Sequence, residues 1–249
     1  MKSLLRLRRI GGTASAALEL AARLGFLRAL EEVPRPRSRA LVLQQMARLL
    51  LEIHGIHVDE RGSCPNEPAL LVANHVSYLD PLVVMSSHPA LPVAKDEVRR
   101  WPLIGPLCER AGVQFVARAR TASGAATLRK MARTLAEGTS ILNFPEGTTS
   151  EGSAVLPLKP ACFRIARLAR APVVPVAIVW ESPELSWTGD ASFLPHYLDV
   201  AGRQQIHVRV HWSEPLQTSP DTTDQDLAER ARDFLLRAIQ ETHGPAKCA

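Results

Sequence analysis

Hydrophobic and polar positions follow two different periods along this chain, and the two periods alternate. Short apolar segments bounded by turn residues predict strands at 55–59, 69–73, 91–94, 113–117, 140–144, 173–179 and 206–212. Between several of these segments the apolar positions recur at helical spacing, which predicts helices at 121–137, 160–170 and 226–242. Strands that alternate with helices indicate an α/β fold, here a mixed, largely parallel sheet flanked by helices.

Two more helices are predicted ahead of this pattern. Residues 14–32 are apolar on most sides, and the prolines of 33–38 break the helix because they lack an N–H donor. Ser38 fits the N-cap of a second helix, 39–54. The apolar stripe of that helix is formed by Val42, Leu43, Met46, Leu49, Leu50 and Ile53. Such a stripe is typical either of packing on its own domain or of lying in a membrane interface, and the sequence leaves both open.

Positive charge is concentrated at the start of the chain. Residues 1–50 carry ten Lys or Arg against three Glu, a surplus of seven, whereas the whole chain is only +5. A basic arm on a near-neutral body suits an anionic surface of lipid or nucleic acid, and it is also typical of an ordinary solvated terminus. Nucleic acid is disfavoured, since aromatic residues make up only 5% of the chain. We therefore predict a basic, membrane-associating helical pair over 1–54 and a main domain over 55–249.

We expect neither a membrane-spanning helix nor export. The longest strongly apolar run, 171–180, is far shorter than the roughly 20 residues that span a bilayer. The N-terminal charges resemble those of a signal peptide, but Glu19, Arg23 and Arg28 interrupt the apolar stretch that should follow. The cysteines do not stand at C-x-x-C spacing, so we expect free thiols in a reducing compartment.

One segment carries a candidate base and its orienting carboxylate. His75 and Asp80 stand five residues apart in NHVSYLD, 74–80. On a continuous helix five residues turn by about 500°, so the two side chains would not face each other. They meet if His75 ends a strand and Asp80 opens a helix, and Pro81 is well tolerated in a first helical turn.

The same spacing occurs again at His54 and Asp59, where a predicted helix gives way to a strand. The strand-turn-helix setting is missing there, and we interpret this second match as accidental. His54 and His57 also resemble a metal-binding pair, but no third or fourth ligand is apparent, so a structural role is favoured for both.

Two other segments carry polar chemistry at predicted strand ends. FPEGTTS, 144–150, offers backbone N–H groups and hydroxyls to a phosphate or a polar headgroup, with a simple turn as the alternative. GVQFVAR, 112–118, ends at Arg118, which suits a bidentate contact to phosphate, with an ordinary surface arginine as the alternative. Neither a P-loop nor a GxGxxG pattern occurs, which disfavours a nucleotide.

Together with VVPVAI, 173–178, these three segments resemble the four sequence blocks of the glycerolipid acyltransferases, in the same order. Lysophosphatidate (1-acylglycerol-3-phosphate) O-acyltransferase is the best-known member of that family. Residues 94–105 and 158–166 also resemble family segments, so the resemblance covers about 55–180.

The resemblance implies a role for each block. His75 would deprotonate the acceptor hydroxyl, which then attacks the thioester carbonyl directly, and Asp80 would orient His75 and stabilise its cation. Arg118 would hold the acceptor phosphate. The other implied substrate-binding residues are Glu146, Gly147 and Thr148 around the acceptor, Pro175 beside acyl or acceptor space, and Lys95 and Lys159 as further cations.

The implied activity is transfer of a fatty acyl chain from a thioester, either acyl-CoA or acyl carrier protein, to the free hydroxyl of a lysophospholipid. The favoured acceptor is 1-acyl-glycerol-3-phosphate, which would give phosphatidate. No metal or other cofactor is expected, and no covalent acyl-enzyme, in agreement with the missing G-x-S-x-G elbow. Expected partners are the lysolipid, the donor and an anionic membrane surface, with the protein peripheral or monotopic on the cytoplasmic face.

Two positions depart from the family pattern. Thr149 stands where many lysophosphatidate enzymes carry an arginine, and Ala161 stands where a glycine is common. The missing cation weakens the case for lysophosphatidate, and Trp187 to Asp190 with His196 resembles a feature of relatives of lyso-ornithine lipid acyltransferases. A non-enzymatic lipid-binding protein of the membrane surface is a further alternative, disfavoured by the intact His–Asp and Glu–Gly pairs.

Overall fold

A computed structural model of the chain describes residues 2–30, 35–102, 104–116, 121–188 and 191–243. The strands are β1 (Ile56–Arg61), β2 (Leu70–Ala73), β3 (Ala90–Lys95), β4 (Gln114–Val116), β5 (Ser140–Asn143), β6 (Val173–Trp180) and β7 (Ile206–Trp212). The helices are α1 (Lys2–Leu30), α2 (Pro36–His54), α3 (Asp80–Ser87), α4 (Ile104–Ala111), α5 (Thr121–Ala136), α6 (Arg164–Ala169), α7 (Phe193–Val200) and α8 (Asp224–His243). Short 3₁₀ segments lie at Asp96–Arg100, Pro160–Phe163 and Pro183–Leu185.

The strands form one sheet in the order β1-β7-β6-β2-β5-β3-β4. The run from β6 to β4 is parallel throughout. β7 pairs antiparallel with β6 and parallel with β1, so these two strands run the opposite way. The predicted mixed, largely parallel sheet with flanking helices is therefore confirmed.

The central strands are apolar because helices cover both faces of the sheet. Every residue of β2 and of β6 is buried, and continuous apolar runs are typical of parallel strands in this situation. On α8 the buried positions include Leu227, Ala231 and Leu235, which recur at helical spacing on one face, as the apolar pattern of 226–242 predicts.

α2 begins earlier than the sequence predicts. Its N-cap is Arg35 and its first residue is Pro36, so Ser38 lies inside the first turn and its predicted role as N-cap is wrong. The physical reason is that a first-turn N–H has no partner within the helix, so proline loses nothing there and its fixed φ already fits the helix. The helix ends at His54, and its C-cap is Gly55, whose φ of 63° is in the left-handed region that favours glycine.

The apolar stripe of α2 packs on its own domain. Of the predicted stripe, Leu43 belongs to the same hydrophobic core as the sheet, whereas Leu49 and Leu50 are only partly buried. Ala47 and Leu51, which the stripe did not include, are buried in that core as well. On a neighbouring side, Arg48 Nε donates to the carbonyl of Ser86 at 2.7 Å, at the C-terminal end of α3. α2 therefore shares a core with the residues that follow it, and the division of the chain at 54/55 stays a prediction.

A buried arginine attaches α1 to the rest of the molecule. Arg9 is only 4% exposed. Its Nε donates to the carbonyl of Ile53 at 3.1 Å, its Nη2 to that of Gln204 at 2.9 Å, and its Nη1 to that of Arg203. Burial, and next the neighbouring Arg8, lower the pKa of Arg9. The guanidinium therefore occupies carbonyls from two separate segments of the chain.

The other side of α1 is apolar and exposed. Ala16 and Leu24 face the body and are buried, whereas Leu4, Leu7 and Leu18 are 74%, 67% and 74% exposed. Ile10, Phe26 and Leu30 are exposed on this helix as well. None of the helices in the described part of the chain is long and apolar enough to cross a membrane.

Apolar and polar residues alternate in IHVRVHW, 206–212, which predicts one solvated face for β7, and the structure confirms this only in part. His207 is exposed and Arg209 half-buried, but His211 is buried. The reason is α8, whose Thr242 hydroxyl lies 3.0 Å from His211 Nε2 and covers the end of the strand. Burial lowers the pKa of His211, with Arg61 and Arg209 adding to the effect.

Candidate active site

The carboxyl ends of β2, β5 and β6 meet at one edge of the sheet, because the three strands are parallel neighbours. β2 runs into Asn74 and His75, β5 into Phe144 and Glu146, and β6 ends at Trp180. In open α/β sheets this edge is where ligands bind. The predicted segments 74–80 and 144–150 are thereby brought together.

His75 and Asp80 are in direct contact. The chain leaves β2, turns tightly, and begins α3 at Asp80, as the sequence predicts. His75 Nδ1 lies 2.9 Å from Asp80 Oδ2, and the Asp80 side chain is fully buried while that of His75 is 21% exposed. A partly exposed imidazole is therefore backed by a carboxylate that solvent cannot reach.

The Asp80 carboxylate fixes the tautomer of His75. Oδ2 also accepts the backbone N–H groups of Val76 and Ser77, at 2.6 and 2.8 Å. An oxygen that accepts two N–H donors requires the third group, Nδ1, to be a donor as well. In the neutral ring the lone pair then lies on Nε2, which is the nitrogen that a general base uses.

The imidazole of His75 is held on one side by Phe144. The two ring centroids are 4.3 Å apart and the planes are 27° from parallel. Phe144 is the first residue after β5, so the strand end sets the plane of the histidine ring.

Glu146 clamps backbone on both of its oxygens. Oε1 accepts the N–H of His75 at 2.7 Å and Oε2 accepts that of Leu156 at 2.9 Å. Burial raises the pKa of Glu146 above its usual value, while these two backbone donors act in the opposite direction. In this structure Glu146 therefore joins the loop 146–156 to the backbone of His75.

Gly147 is favoured by its backbone conformation, which lies in the left-handed region. Its φ is 71°, and a Cβ at this position would collide with the ammonium of Lys159. Lys159 is held there because its backbone N–H donates to the carbonyl of Pro145 at 3.1 Å. The ammonium therefore lies against the loop that also carries the exposed Thr148.

Known proteins share both the sequence and the fold. A family model described as Acyltransferase matches residues 51–179. The lyso-ornithine lipid O-acyltransferase of Brucella abortus (strain 2308) is 33% identical over 78% of this chain and 80% of its own length. The 1-acyl-sn-glycerol-3-phosphate acyltransferase alpha of Homo sapiens is 34% identical over 82% of this chain and 73% of its own length. The chain belongs to the acyltransferase family.

The fold comparison agrees with this membership. The crystal structure of the 1-acyl-sn-glycerophosphate (LPA) acyltransferase PlsC from Thermotoga maritima superposes with a TM-score of 0.71, covering 99% of this chain and 100% of that one at 21% identity. The family match contains every candidate site residue named from the sequence, from His75 to Pro175.

Two further candidate residues of this acyltransferase, Lys95 and Pro175, have other places in the fold, and Arg118 is outside the described residues. Lys95 ends β3 at the same edge of the sheet and is exposed. Pro175 is buried within β6 opposite Val72, and its carbonyl accepts the N–H of Ser213 at 3.1 Å. The substrate-binding roles of these residues stay predictions.

The second His–Asp match of the acyltransferase does not form a pair. His54 is buried and its Nε2 lies 2.9 Å from the hydroxyl of Thr13, whereas Asp59 accepts a hydrogen bond from Arg209 at 3.1 Å. His57 is exposed and stacks on His207. Within the described ranges, no group of three or more His, Cys, Asp or Glu could hold a metal ion.

Sequence reasoning missed an aromatic wall beside the site of this acyltransferase. Trp187 and Phe193 each have a ring centroid within 6.4 Å of those of Tyr78 and Trp101. The wall is attached to the segment 74–80, because the N–H of Trp187 donates to the carbonyl of Val76 at 2.9 Å. Burial raises the pKa of Tyr78, whose hydroxyl lies 3.2 Å from Nδ1 of His196.

Sequence reasoning also missed Trp180. Its indole N–H donates to Asp80 Oδ1 at 2.8 Å. The only signal in the sequence was its place two residues after the fourth block, at the end of an unbroken apolar run.

Proposed function

We propose that this acyltransferase transfers a fatty acyl chain from a thioester to the free hydroxyl of a lysolipid, with His75 as the general base. The observation that carries the proposal is the contact between Nδ1 of a partly exposed His75 and the buried carboxylate of Asp80. That contact leaves Nε2 of His75 to accept a proton from substrate.

The step needs no protein nucleophile. Nε2 of His75 takes the proton of the acceptor hydroxyl while the oxygen of that hydroxyl attacks the thioester carbonyl. The new C–O ester bond forms, the C–S bond breaks, and the proton passes to the departing thiolate. Asp80 stabilises the imidazolium that exists between these proton transfers, because its charge is buried and adjacent to Nδ1.

The first candidate for the acceptor is 1-acyl-glycerol-3-phosphate, which gives phosphatidate. Support comes from relatives that are named for this reaction and from cations near the edge of the sheet. Lys159 lies against Gly147 and Lys95 ends β3. Arg118, outside the described residues, is the cation of the segment 112–118 in the sequence. Cations in these places suit a phosphate.

Lyso-ornithine lipid is the second candidate, and two observations favour it. Thr149 occupies the position where the sequence pattern of lysophosphatidate enzymes carries an arginine. The Brucella relative, at 33% identity, is named for lyso-ornithine lipid. A headgroup that carries a carboxylate and an ammonium needs fewer cations than a phosphate does.

The acyl donor is either acyl-CoA or acyl carrier protein, and the reaction as proposed needs no other cofactor. The aromatic wall of Tyr78, Trp101, Trp187 and Phe193 offers apolar surface next to the segment 75–80. We assign this wall to contact with an acyl chain, since aromatic side chains supply large apolar area with little loss of conformational freedom.

The lipid surface is assigned to α1. Its outer side presents Leu4, Leu7 and Leu18, and its one carboxylate, Glu19, is paired with Arg23 at 3.0 Å. An apolar face on a helix rich in basic residues suits the interface of an anionic membrane. The cytoplasmic face is the side that such a protein would occupy if it is not exported.

The test is an acceptor comparison with the purified full chain. A radiolabelled acyl chain is offered as its thioester, either with CoA or with acyl carrier protein. Each donor is combined with lysophosphatidate and with lyso-ornithine lipid, and products are separated by thin-layer chromatography. Ester formed on one lysolipid and abolished in His75→Ala supports the proposal and selects the acceptor. A protein that acylates neither, while binding vesicles, would support the non-enzymatic alternative.

A further inference from the structure

The Asp80 carboxylate is held by residues from two distant parts of the chain. The donors to Oδ2 come from the adjacent segment: Nδ1 of His75 at 2.9 Å and the N–H groups of Val76 and Ser77. In the described part of the chain, Oδ1 receives its donor from Trp180, 100 positions away in sequence, at 2.8 Å. One oxygen is therefore directed to the base and the other to the end of β6.

The end of β6 is itself fixed against the residue before the base. Asn74 Nδ2 donates to the carbonyl of Ile178 at 2.9 Å, and the N–H of Ile178 donates to Asn74 Oδ1 at 2.8 Å. This reciprocal pair continues the β2–β6 ladder beyond Ala73. Trp180 is two residues further on, pairs with Val208 of β7, and is 6% exposed. The indole therefore reaches Asp80 from a strand whose register is fixed by hydrogen bonds to Asn74 and to β7.

From these contacts we propose that Trp180 is a positioning residue, which holds Oδ1 of Asp80 so that Oδ2 faces Nδ1 of His75. Trp180 acts through Asp80 and contacts no reacting group. The inference rests on the proposed roles of His75 and Asp80. Trp180 lies just beyond the family match at 51–179, so the match itself gives the indole no role.

Removing the indole N–H affects the base in two ways. A carboxylate that is anchored at only one oxygen can rotate, so His75 spends less time in the reactive orientation. The negative charge of Asp80 is then also shared with one hydrogen-bond donor fewer, so it stabilises the imidazolium of His75 more strongly. The first effect lowers kcat, and the second moves the acid limb of the pH profile to higher pH.

The experiment is steady-state kinetics of the full chain with Trp180→Phe. We expect kcat to fall about 10- to 100-fold, as is usual when a group that orients a catalytic side chain is lost. The KM for acceptor and donor should stay unchanged, and the acid limb of kcat/KM should move to higher pH. In an Asp80→Ala background the same substitution should cost no further activity, because the two residues act as one unit.

The chain offers a matched control in Trp212. It is 4% exposed on β7, and its indole nitrogen has no hydrogen-bond partner among the described residues. Trp212→Phe makes the same chemical change in a similar buried place and should leave kcat and the pH profile as in the wild type. An equal loss in both variants would show that the effect is a packing effect and would overturn the proposal.

Two further results decide the remaining cases. If Trp180→Phe fails to fold by circular dichroism, the indole is replaced by a benzothiophene amino acid, which keeps the ring shape and removes only the N–H; wild-type kcat and pH profile in this variant would refute the proposal. If His75→Ala keeps full activity, the catalytic roles fail. If His75→Ala is inactive while Trp180→Phe is wild type, only the role of Trp180 fails.

Discussion

The backbone N–H of Ser150 donates to the carbonyl oxygen of His75 at 2.8 Å. The loop that begins at Glu146 is thus attached to His75 at two points, since Glu146 accepts the N–H of the same residue. We therefore expect a change in the conformation of this loop to move the backbone of His75.

Glu146→Gln should lower kcat by about tenfold or more and destabilise the fold by about 1–3 kcal/mol. Each oxygen of the carboxylate accepts a backbone N–H, from His75 and from Leu156. Glutamine has one acceptor oxygen, so its amide NH₂ would face a donor. Kinetics and urea unfolding measure the two effects. Glu151→Gln, an exposed change in the same loop, is the control, and equal behaviour of the two variants would contradict the clamp.

His75→Ala should reduce acyl transfer by about 10²–10⁴-fold while leaving the fold intact, because a positioned base contributes that much and direct attack offers no other nucleophile. Activity is measured with the best acceptor from the comparison above. His54→Ala is the informative partner, since His54 is the other histidine with an aspartate five residues on. A fully active His75→Ala beside an inactive His54→Ala would mean that the wrong histidine has been chosen.

Much of this geometry could be predicted from sequence, because local signals determine it. The run LLVA, the turn, and Pro81 after Asp80 predict that a strand end and a helix start bring His75 and Asp80 together. The helices α4 and α7 were not predicted, because eight residues show little more than two turns of periodicity.

Contacts between distant segments had no such signal. The donor to Oδ1 of Asp80 stands 100 positions away, and the carbonyls that Arg9 occupies near β7 stand 194 and 195 positions away. An apolar strand ending in tryptophan, or a basic residue in a helix, has the same local pattern whatever it meets. Only the folded structure shows which distant groups these residues contact.

Acid should destabilise the protein partly through His54. Burial, and next Arg9, lower the pKa of His54 from 6.5 to about 4, and its buried Nδ1 has no partner among the described residues. A lowered pKa in the folded state contributes stability that is complete above pH 6.5 and is lost as the pH falls through about 4. The shift corresponds to about 3 kcal/mol at most.

The measurement is the free energy of unfolding in urea between pH 7.5 and pH 4, for wild type and His54→Gln. The two proteins differ only at His54, so the difference between their slopes of unfolding free energy against pH gives the contribution of His54. His88, whose pKa burial also lowers to about 4, and Glu146, whose raised pKa has the opposite sign, are present in both proteins. Identical slopes would show that His54 does not contribute.

Leu7→Glu with Leu18→Glu should weaken binding to anionic vesicles at least about tenfold, because each buried leucine side chain contributes about 1.5–3 kcal/mol. Sedimentation with phosphatidylglycerol vesicles measures the binding, which should also weaken with salt. Leu168→Glu places the same charge on a leucine of α6 that is 55% exposed. If this control lost as much binding as the double variant, α1 would not be the contact surface.

The burial of Arg9 has a consequence for how the molecule would work at an interface. If α1 moved away from the body, the carbonyls of Ile53, Arg203 and Gln204 would lose their hydrogen-bond donor. The helix is therefore not free to rotate relative to the rest of the fold. If its outer side rests on lipid, the tilt of the whole body is set by that one helix. The distance from the headgroups to His75 is then a fixed property of the fold, and a lysolipid must rise to the base by the same height in every turnover.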